Sequence, residues 1–350
     1  MTGTTTLYTL PEPFVTESGE TITPVQVTYK TWGKLNQDGS NAVLVCHALT
    51  GNAEADEWFP SLFGDDGMLN PDEQFIVCSN VLGGCYGTTG PWSVNASTGK
   101  RWRADFPKIT IRDMVRVQQL LLSHLGVTSI ELALGGSMGG MQVLEWLCMD
   151  DRIQKAVLIA MGKAHSPWTI GFSEAQRRAI RADRNWNGGF YAPDAPPAEG
   201  LAAARMMGMM MYRSAPAFQR RFGRNLQDGH ADLLQVNSYL NYQGDKLVKR
   251  FDANTYITLT EAMDTHDVSR GRGSYEQVLG SITVPVLVMA ISSDVLYVPA
   301  EQRELAGLLG NARYAELESD EGHDAFLIEF PKMAEIYRTF NQNIISTDSR

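Results

Sequence analysis

Short apolar runs recur along the chain and predict buried strands. They occupy residues 42–46, 74–80, 129–134, 155–160 and 284–291 and are rich in β-branched residues. Within each run the apolar positions are continuous, whereas a half-exposed strand alternates apolar and polar residues. Continuous runs are typical of strands that are covered on both faces, as in a parallel sheet.

Helical patterns lie between these runs. Residues 111–126 predict a helix that Gly126 ends, with an apolar stripe formed by Met114, Val115, Leu120, Leu121 and Leu125. Residues 138–150 and 300–310 predict two further helices. Because strands and helices alternate, we expect an α/β fold with a mostly parallel, doubly wound sheet.

This alternation is interrupted between residues 164 and 280. Strand patterns are absent there, residues 191–200 predict a loop, and residues 201–224 predict helices that are rich in arginine. The strand–helix pattern returns after Val284. We therefore expect one core domain, residues 1–163 and 281–350, that carries a helical lid insertion, residues 164–280.

Composition narrows the class of protein. The 350 residues have a formal net charge of −10, whereas a nucleic-acid-binding surface needs a basic balance. No apolar run approaches the roughly 18 residues that span a membrane, and the first residues lack a signal-peptide pattern. Four cysteines without CxxC spacing and scattered histidines predict neither a disulfide framework nor a metal site. We expect a cytoplasmic protein without membrane or nucleic-acid partners.

The stretch LALGGSMGGMQVLEW, residues 132–146, places Ser137 between two pairs of glycines. It matches G-x-S-x-G, and it has the buried strand before it and the helix after it that this motif requires. In that context the serine lies on a strained turn as a nucleophile, and the N–H of Met138 at the helix start faces an oxyanion. The alternative is that Ser137 only caps the N-terminus of the helix.

A nucleophilic serine needs a base and an acid that orients the base. In this architecture they follow the serine along the chain, which excludes His47 and His124, and the predicted lid contains or borders His165, His230 and His266. His323 lies in a glycine-containing loop before a terminal helix and is the expected base. Asp294 directly follows the strongest strand of the C-terminal half and is the expected acid. As alternatives, Asp294 is a loop cap and His323 a solvated loop residue.

Two loops after early strands complete the candidate site. The first contains Leu49, whose N–H we expect to form the second half of an oxyanion hole. His47 in the same loop is interpreted as a residue that shapes the loop rather than as a second base. The second loop contains Cys85, which is interpreted as structural because no histidine pairs with it in the sequence pattern.

Longer motifs carry a resemblance to a known family. They are HALTG, NVLGGCYGTTGP, TIRDMV, LGGSMGGMQVLEW, FDANTYITLT, HDVSRGRG, ISSDVLY and GHDAFLIE, in this order. Together they closely resemble the homoserine O-acetyltransferases of the α/β-hydrolase superfamily over roughly residues 20–340. The resemblance is more specific than G-x-S-x-G alone, because the longer motifs are not general features of esterases.

The resemblance implies a ping-pong acetyl transfer from acetyl-CoA, through Ser137, to the hydroxyl of homoserine, for methionine synthesis. His323 would be the base and Asp294 its partner, with Arg205 and Asp324 binding homoserine. A guanidinium clamps a carboxylate and a carboxylate binds an ammonium, which suits an amino acid. No permanently bound cofactor is implied, since acetyl-CoA is a co-substrate, and the family commonly forms homodimers through the lid.

Other interpretations use the same residues. The donor could be succinyl-CoA, or the acceptor serine, with an unchanged triad. A plain serine hydrolase would release the acyl group to water without any acceptor. A non-catalytic binding protein of the same fold is disfavoured by the complete set of serine, aspartate and histidine.

Overall fold

The computed structural model describes residues 3–65 and 67–348. Its strands are β1 (Thr4–Thr9), β2 (Phe14–Val15), β3 (Thr21–Ile22), β4 (Gln26–Trp32), β5 (Ala42–Cys46), β6 (Phe75–Ser79), β7 (Val94–Asn95), β8 (Lys100–Arg101), β9 (Ile130–Gly136), β10 (Ala156–Ile159), β11 (Val286–Ile291) and β12 (Ala312–Leu317). Its α-helices are α1 (Ala55–Trp58), α2 (Ile111–His124), α3 (Met138–Met149), α4 (Pro167–Arg181), α5 (Ala198–Tyr212), α6 (Ala215–Phe222), α7 (Gln235–Val248), α8 (Ala253–Asp264), α9 (Tyr275–Gly280), α10 (Pro299–Leu308) and α11 (Phe330–Asp348). Short 3₁₀ helices cover Pro60–Leu62, Arg103–Asp105, Asn187–Gly189 and Gly322–Leu327.

Among the described residues, eight strands form one sheet in the order β1-β4-β6-β5-β9-β10-β11-β12. The six strands from β6 to β12 in this order run parallel, and β4 and β1 add an antiparallel edge. The strand order reverses at β5, because β6 lies on one side of it and β9 on the other. Open α/β sheets bind ligands at the carboxyl edge beside such a reversal. The predicted α/β class with a mostly parallel, doubly wound sheet is confirmed.

The sheet separates two apolar cores, because successive side chains of a strand point to opposite faces. On β5, Leu44 and Cys46 pack in the core beneath α2 and α3, whereas Val43 and Val45 pack in the core beneath α1 and α11. All four side chains are buried. Full burial of a valine or leucine contributes about 1.5–3 kcal/mol, so burial on both faces explains the continuous apolar run.

Between β10 and β11 the described chain forms helices α4–α9 and no strand of the sheet. We call residues 164–280 the helical segment. Its first residue pairs with Asp267, which follows α8, through an antiparallel bridge between Ala164 and Asp267. Arg213 forms an ion pair with Glu321 after β12, and Arg250 donates to the Thr50 carbonyl oxygen, after β5, at 2.9 Å. The helical segment therefore contacts two loops at the carboxyl edge of the sheet.

A buried carboxylate ties the helical segment to the helices beneath it. Glu145 on α3 has a side chain that is 1% exposed, and its Oε2 lies 3.2 Å from Arg112 Nε and 2.7 Å from Arg272 Nη1. Arg112 also donates to the carbonyl oxygen of Asp267 at 3.1 Å. One carboxylate thus neutralises two arginines that come from α2 and from the end of the helical segment.

Replacing Glu145 with alanine should lower the free energy of unfolding by about 3–5 kcal/mol, because Arg272 then lacks its buried counter-charge and Arg112 keeps only Glu17, at 3.6 Å. Denaturant unfolding followed by circular dichroism measures this change. The control is Glu335→Ala on α11, an exposed glutamate whose replacement should change stability by less than about 0.5 kcal/mol. Equal effects of the two substitutions would contradict the structural role of Glu145.

Candidate active site

The backbone at Ser137 is strained. Its φ and ψ are 56° and −126°, in a region that residues with a side chain rarely adopt and that costs about 1–3 kcal/mol. The turn is held by two main-chain bonds: Ser137 N–H donates to the Ile159 carbonyl oxygen at 2.9 Å, and Met141 N–H donates to that of Ser137 at 3.1 Å. The Ser137 side chain makes no capping hydrogen bond to α3, so the simple N-cap interpretation is not supported.

The flanking glycines allow close approaches of the backbone at this turn. A Cβ at Gly139 would overlap the Cys46 carbonyl oxygen, and one at Gly135 would overlap the Gly139 carbonyl group. A Cβ at Gly136 would lie 2.7 Å from the Phe326 ring. The start of α3 can therefore pack directly against the loop after β5, because these positions carry no side chain.

His323 and Asp294 form a buried pair. His323 Nδ1 lies 2.7 Å from Asp294 Oδ2, and both side chains are at most 4% exposed. The other carboxylate oxygen, Oδ1, accepts the N–H groups of Leu296 at 2.8 Å and Tyr297 at 3.0 Å. Because Asp294 only accepts, Nδ1 carries the proton and Nε2 is left with a lone pair that can take a proton.

The protonation of His323 reflects two opposing effects. Burial lowers its pKa, but the charge and hydrogen bond of Asp294 outweigh burial, and the pKa is raised from its ordinary value of 6.5. Phe326 connects His323 with the serine turn, since its ring centroid lies 5.5 Å from that of His323 and its ring also packs against Gly136. The structure thus places the His323–Asp294 pair and the serine turn around one aromatic ring.

Two main-chain N–H groups, one at the start of α3 and one in the loop after β5, are free to donate. Among the described residues, neither Met138 N–H nor Leu49 N–H donates to a protein acceptor. His47 shapes the Leu49 loop: its Nε2 accepts Val81 N–H at 3.2 Å, so Nδ1 donates to the Ala48 carbonyl oxygen at 2.9 Å. Burial lowers the pKa of His47 to about 4, so the ring stays neutral, as a role in loop structure requires.

Arg205 and Asp324 lie around the histidine without bonded partners. In the described part of the chain neither side chain forms an ion pair or a hydrogen bond. Burial raises the pKa of Asp324, and the charges of His323 and Arg205 oppose this rise only in part. Arg205 Cζ lies 5.6 Å from the centroid of the Tyr212 ring, which is 5.8 Å from that of His323. A guanidinium and a carboxyl group without bonded partners thus lie next to Tyr212 and His323, respectively.

Two tyrosines at this site were not predicted from the sequence. Tyr212 lies between Arg205 and His323, and its position seven residues after Arg205 places both on one face of α5. Tyr297 packs against His323 at 5.4 Å and donates its N–H to Asp294. Its position three residues after Asp294 is the signal that could have indicated an aspartate-capped turn.

The described residues do not favour a metal site or a cysteine nucleophile. Within residues 3–65 and 67–348, no group of three or more histidine, cysteine or acidic side chains is placed to hold a metal ion. None of the helices in that part of the chain combines the length and apolar character of a membrane span. Cys85 is a free thiol whose pKa is raised to about 11 by burial, so it is a poor nucleophile. The serine remains the best-placed nucleophile.

Comparison with known proteins identifies the relatives of this chain. A family model described as the alpha/beta hydrolase fold matches residues 41–330. A homoserine O-acetyltransferase of Chlorobium chlorochromatii (strain CaD3) is 57% identical over 339 residues, which are 96% of this chain and 95% of that protein. The crystal structure of homoserine O-acetyltransferase from Bacillus anthracis is 26% identical, with a TM-score of 0.88 over 97% of this chain and 98% of that one. Esterase E22 is 26% identical, with a TM-score of 0.89 over 97% and 100%.

The identity of 57% extends over nearly the whole of both chains, so it includes the helical segment as well as the sheet. It therefore covers every element that bears a candidate site residue. The resemblance inferred from the longer motifs is confirmed. The chain belongs to the homoserine O-acetyltransferase family of α/β hydrolases.

Proposed function

We propose that this enzyme transfers the acetyl group of acetyl-CoA to the hydroxyl of homoserine through an acetyl ester on Ser137. The observation that carries the proposal is the pair of side chains without bonded partners, Arg205 and Asp324, beside His323. A plain esterase has no need for this pair, whereas an amino-acid acceptor offers a carboxylate and an ammonium that match it. The products are O-acetylhomoserine, for methionine synthesis, and CoA.

The first half-reaction acylates the serine. Ser137 Oγ attacks the thioester carbonyl, His323 Nε2 takes the hydroxyl proton, and CoA leaves as a thiol after receiving that proton. Asp294 holds the imidazole and stabilises its charged form. The negative oxygen of the tetrahedral intermediate accepts hydrogen bonds from Met138 N–H and Leu49 N–H, which have no other acceptor among the described residues.

The second half-reaction uses the same base. The guanidinium of Arg205 binds the α-carboxylate of homoserine, and the carboxylate of Asp324 binds its α-ammonium. The γ-hydroxyl then loses its proton to His323 and attacks the acetyl ester, and Ser137 recovers a proton from His323. The arriving ammonium supplies the positive partner that the buried Asp324 carboxylate lacks, which favours the charged carboxylate.

Transfer to an acceptor requires that water be kept away from the acetyl ester. We assign this role to the helical segment as a lid, because Tyr212 packs over His323 and Arg250 contacts the Leu49 loop through Thr50.

The enzyme acts in the cytoplasm and requires no permanently bound cofactor. We assign a homodimer interface to the lid, where a groove of about 350 Å³ is lined by Met210, Phe218, Phe222 and other residues of α5–α7.

Replacing Arg205 with methionine should raise the KM for homoserine at least tenfold, because a bidentate charge-assisted bond to the carboxylate is lost. The rate of CoA release in the first half-reaction should stay within threefold of the unmodified enzyme. Steady-state and single-turnover kinetics separate the two effects. The control is Arg224→Met, an exposed arginine of the same segment, which should change neither quantity. An equal loss in both half-reactions would contradict a role in acceptor binding.

The release of CoA thiol tests the proposed function. Acetyl-CoA and succinyl-CoA are each supplied with homoserine, with serine and without an acceptor. Release with acetyl-CoA that depends on homoserine is the expected result. The similarity to esterase E22 makes hydrolysis the second candidate, and fast release without any acceptor would favour it. Release that depends on succinyl-CoA or on serine would replace the proposed donor or acceptor but keep the triad.

A further inference from the structure

A chain of buried side chains joins the two loops that carry the free N–H groups. Gln142 is wholly buried on α3, and its Nε2 donates to the His47 carbonyl oxygen at 3.2 Å and to the Met138 carbonyl oxygen at 3.1 Å. Its Oε1 accepts Gln118 Nε2 from α2 at 2.8 Å. Gln118 Oε1 in turn accepts the indole N–H of Trp146 at 2.7 Å. We call Gln142, Gln118 and Trp146 the amide clamp.

The direction of every bond in the amide clamp is fixed by its ends. The indole N–H of Trp146 can only donate, so Gln118 presents its oxygen to Trp146 and its NH₂ group to Gln142. The carbonyl groups of His47 and Met138 can only accept, so Gln142 presents its NH₂ group to them. Both amides therefore have one orientation, and rotating either by 180° would leave buried groups unpaired at a cost of about 1–3 kcal/mol for each group.

The two carbonyl groups held by Gln142 belong to the two halves of the proposed oxyanion hole. Met138 supplies one N–H itself, and His47 lies two residues before Leu49, which supplies the other. Gly139 lets the helix start approach the Cys46 carbonyl group, so direct packing already brings the two segments together. Packing without directed bonds lets the start of α3 and the loop after β5 rotate relative to each other. Two hydrogen bonds from one amide fix this relative orientation.

We propose that Gln142 is a positioning residue that sets the spacing and the direction of the Met138 and Leu49 N–H groups. This inference rests on the roles given to those groups in the proposed function. Hydrogen bonds to a developing oxyanion act over about 2.7–3.1 Å, so a displacement of the Leu49 loop weakens transition-state binding more than substrate binding. Gln142 itself touches neither substrate nor the reacting atoms.

The test replaces Gln142 with methionine, which keeps the length of the side chain but has no amide. We expect kcat for acetyl transfer to fall about 100-fold, as on the loss of one oxyanion-hole donor, with KM for homoserine within threefold of the unmodified enzyme. The binding of a boronic acid that forms a tetrahedral adduct with Ser137 should weaken by a similar factor. A milder variant, Gln118→Met, should show the same pattern with a smaller loss, and it keeps the test possible if Gln142→Met folds poorly.

The matched control is Asn254→Leu on α8. Asn254 is also buried, and its amide donates to the Gly189 carbonyl oxygen at 2.9 Å, away from the serine turn. It should lower the melting temperature and leave kcat within threefold. If the Gln142 and Gln118 variants lose stability but keep kcat and boronate affinity, the positioning role is wrong. Failure of the proposed function is distinguishable, because the unmodified enzyme would then not acetylate homoserine.

Discussion

Replacing Ser137 with alanine should abolish acetyl transfer, with an expected loss in kcat on the order of 10⁶-fold. The reason is that no acetyl ester can form and the remaining groups can only bind and polarise the substrate. Stability should be nearly unchanged, since the Ser137 side chain makes no capping hydrogen bond that alanine would remove. CoA release and intact-protein mass spectrometry of the acetyl-enzyme measure the effect.

Ser79→Ala is the matched control for this substitution. Ser79 ends β6, is buried, and has a hydroxyl without a hydrogen-bond partner in the described structure. Removing an unpaired hydroxyl should cost little stability and no activity. Retained acetyl transfer in Ser137→Ala would show that another residue is the nucleophile.

Replacing Asp294 with asparagine should lower kcat about 10⁴-fold. The asparagine oxygen must accept the N–H groups of Leu296 and Tyr297, so its NH₂ group must face His323 Nδ1. Nδ1 then accepts, Nε2 carries the proton, and the ring can no longer take the proton of Ser137. A loss of less than tenfold, with a folded protein, would contradict the role of Asp294.

The pH dependence of kcat/KM gives a second readout of the same pair. The base must be neutral, so activity is present above the pKa of His323 and is lost as the pH falls through it. Because burial lowers that pKa but Asp294 raises it more strongly, the acid limb should lie above the ordinary value of 6.5. In Asp294→Asn the Asp294 charge is gone, whereas burial and the weaker effect of the Asp324 charge remain, so the acid limb of the residual activity should move to lower pH.

Much of the fold could be predicted from continuous apolar runs, as residues 42–46 show, because that run coincides with β5. β1, β4 and β12 were missed: they lie at or beside the sheet edges, are partly exposed, and lack a continuous apolar run. Leu120 was assigned to the buried stripe of α2 but is 45% exposed, since it lies at the border of that stripe. The helical repeat of apolar residues alone cannot define the limits of a buried stripe, because these limits depend on which elements pack against the helix.

In the candidate site, the sequence pattern could predict only those residues whose place follows from the strand or turn beside them. The serine turn, Asp294 and His323 each follow a strand, so their loops meet at one edge of the sheet. Arg205 came only from the family resemblance, because one arginine among many in a helical segment carries no local signal. The amide of Gln142 bonds His47, 95 residues away, and that contact exists only after the sheet has formed.

The fate of the acetyl-enzyme tests the proposed function most directly. Ser137 is acetylated with acetyl-CoA, free donor is removed rapidly, and the loss of the ester is followed by mass spectrometry with and without homoserine. We expect homoserine to discharge the ester at least 100-fold faster than water alone and to yield O-acetylhomoserine. Discharge at the same rate with and without homoserine would contradict the proposed function and make the protein a hydrolase.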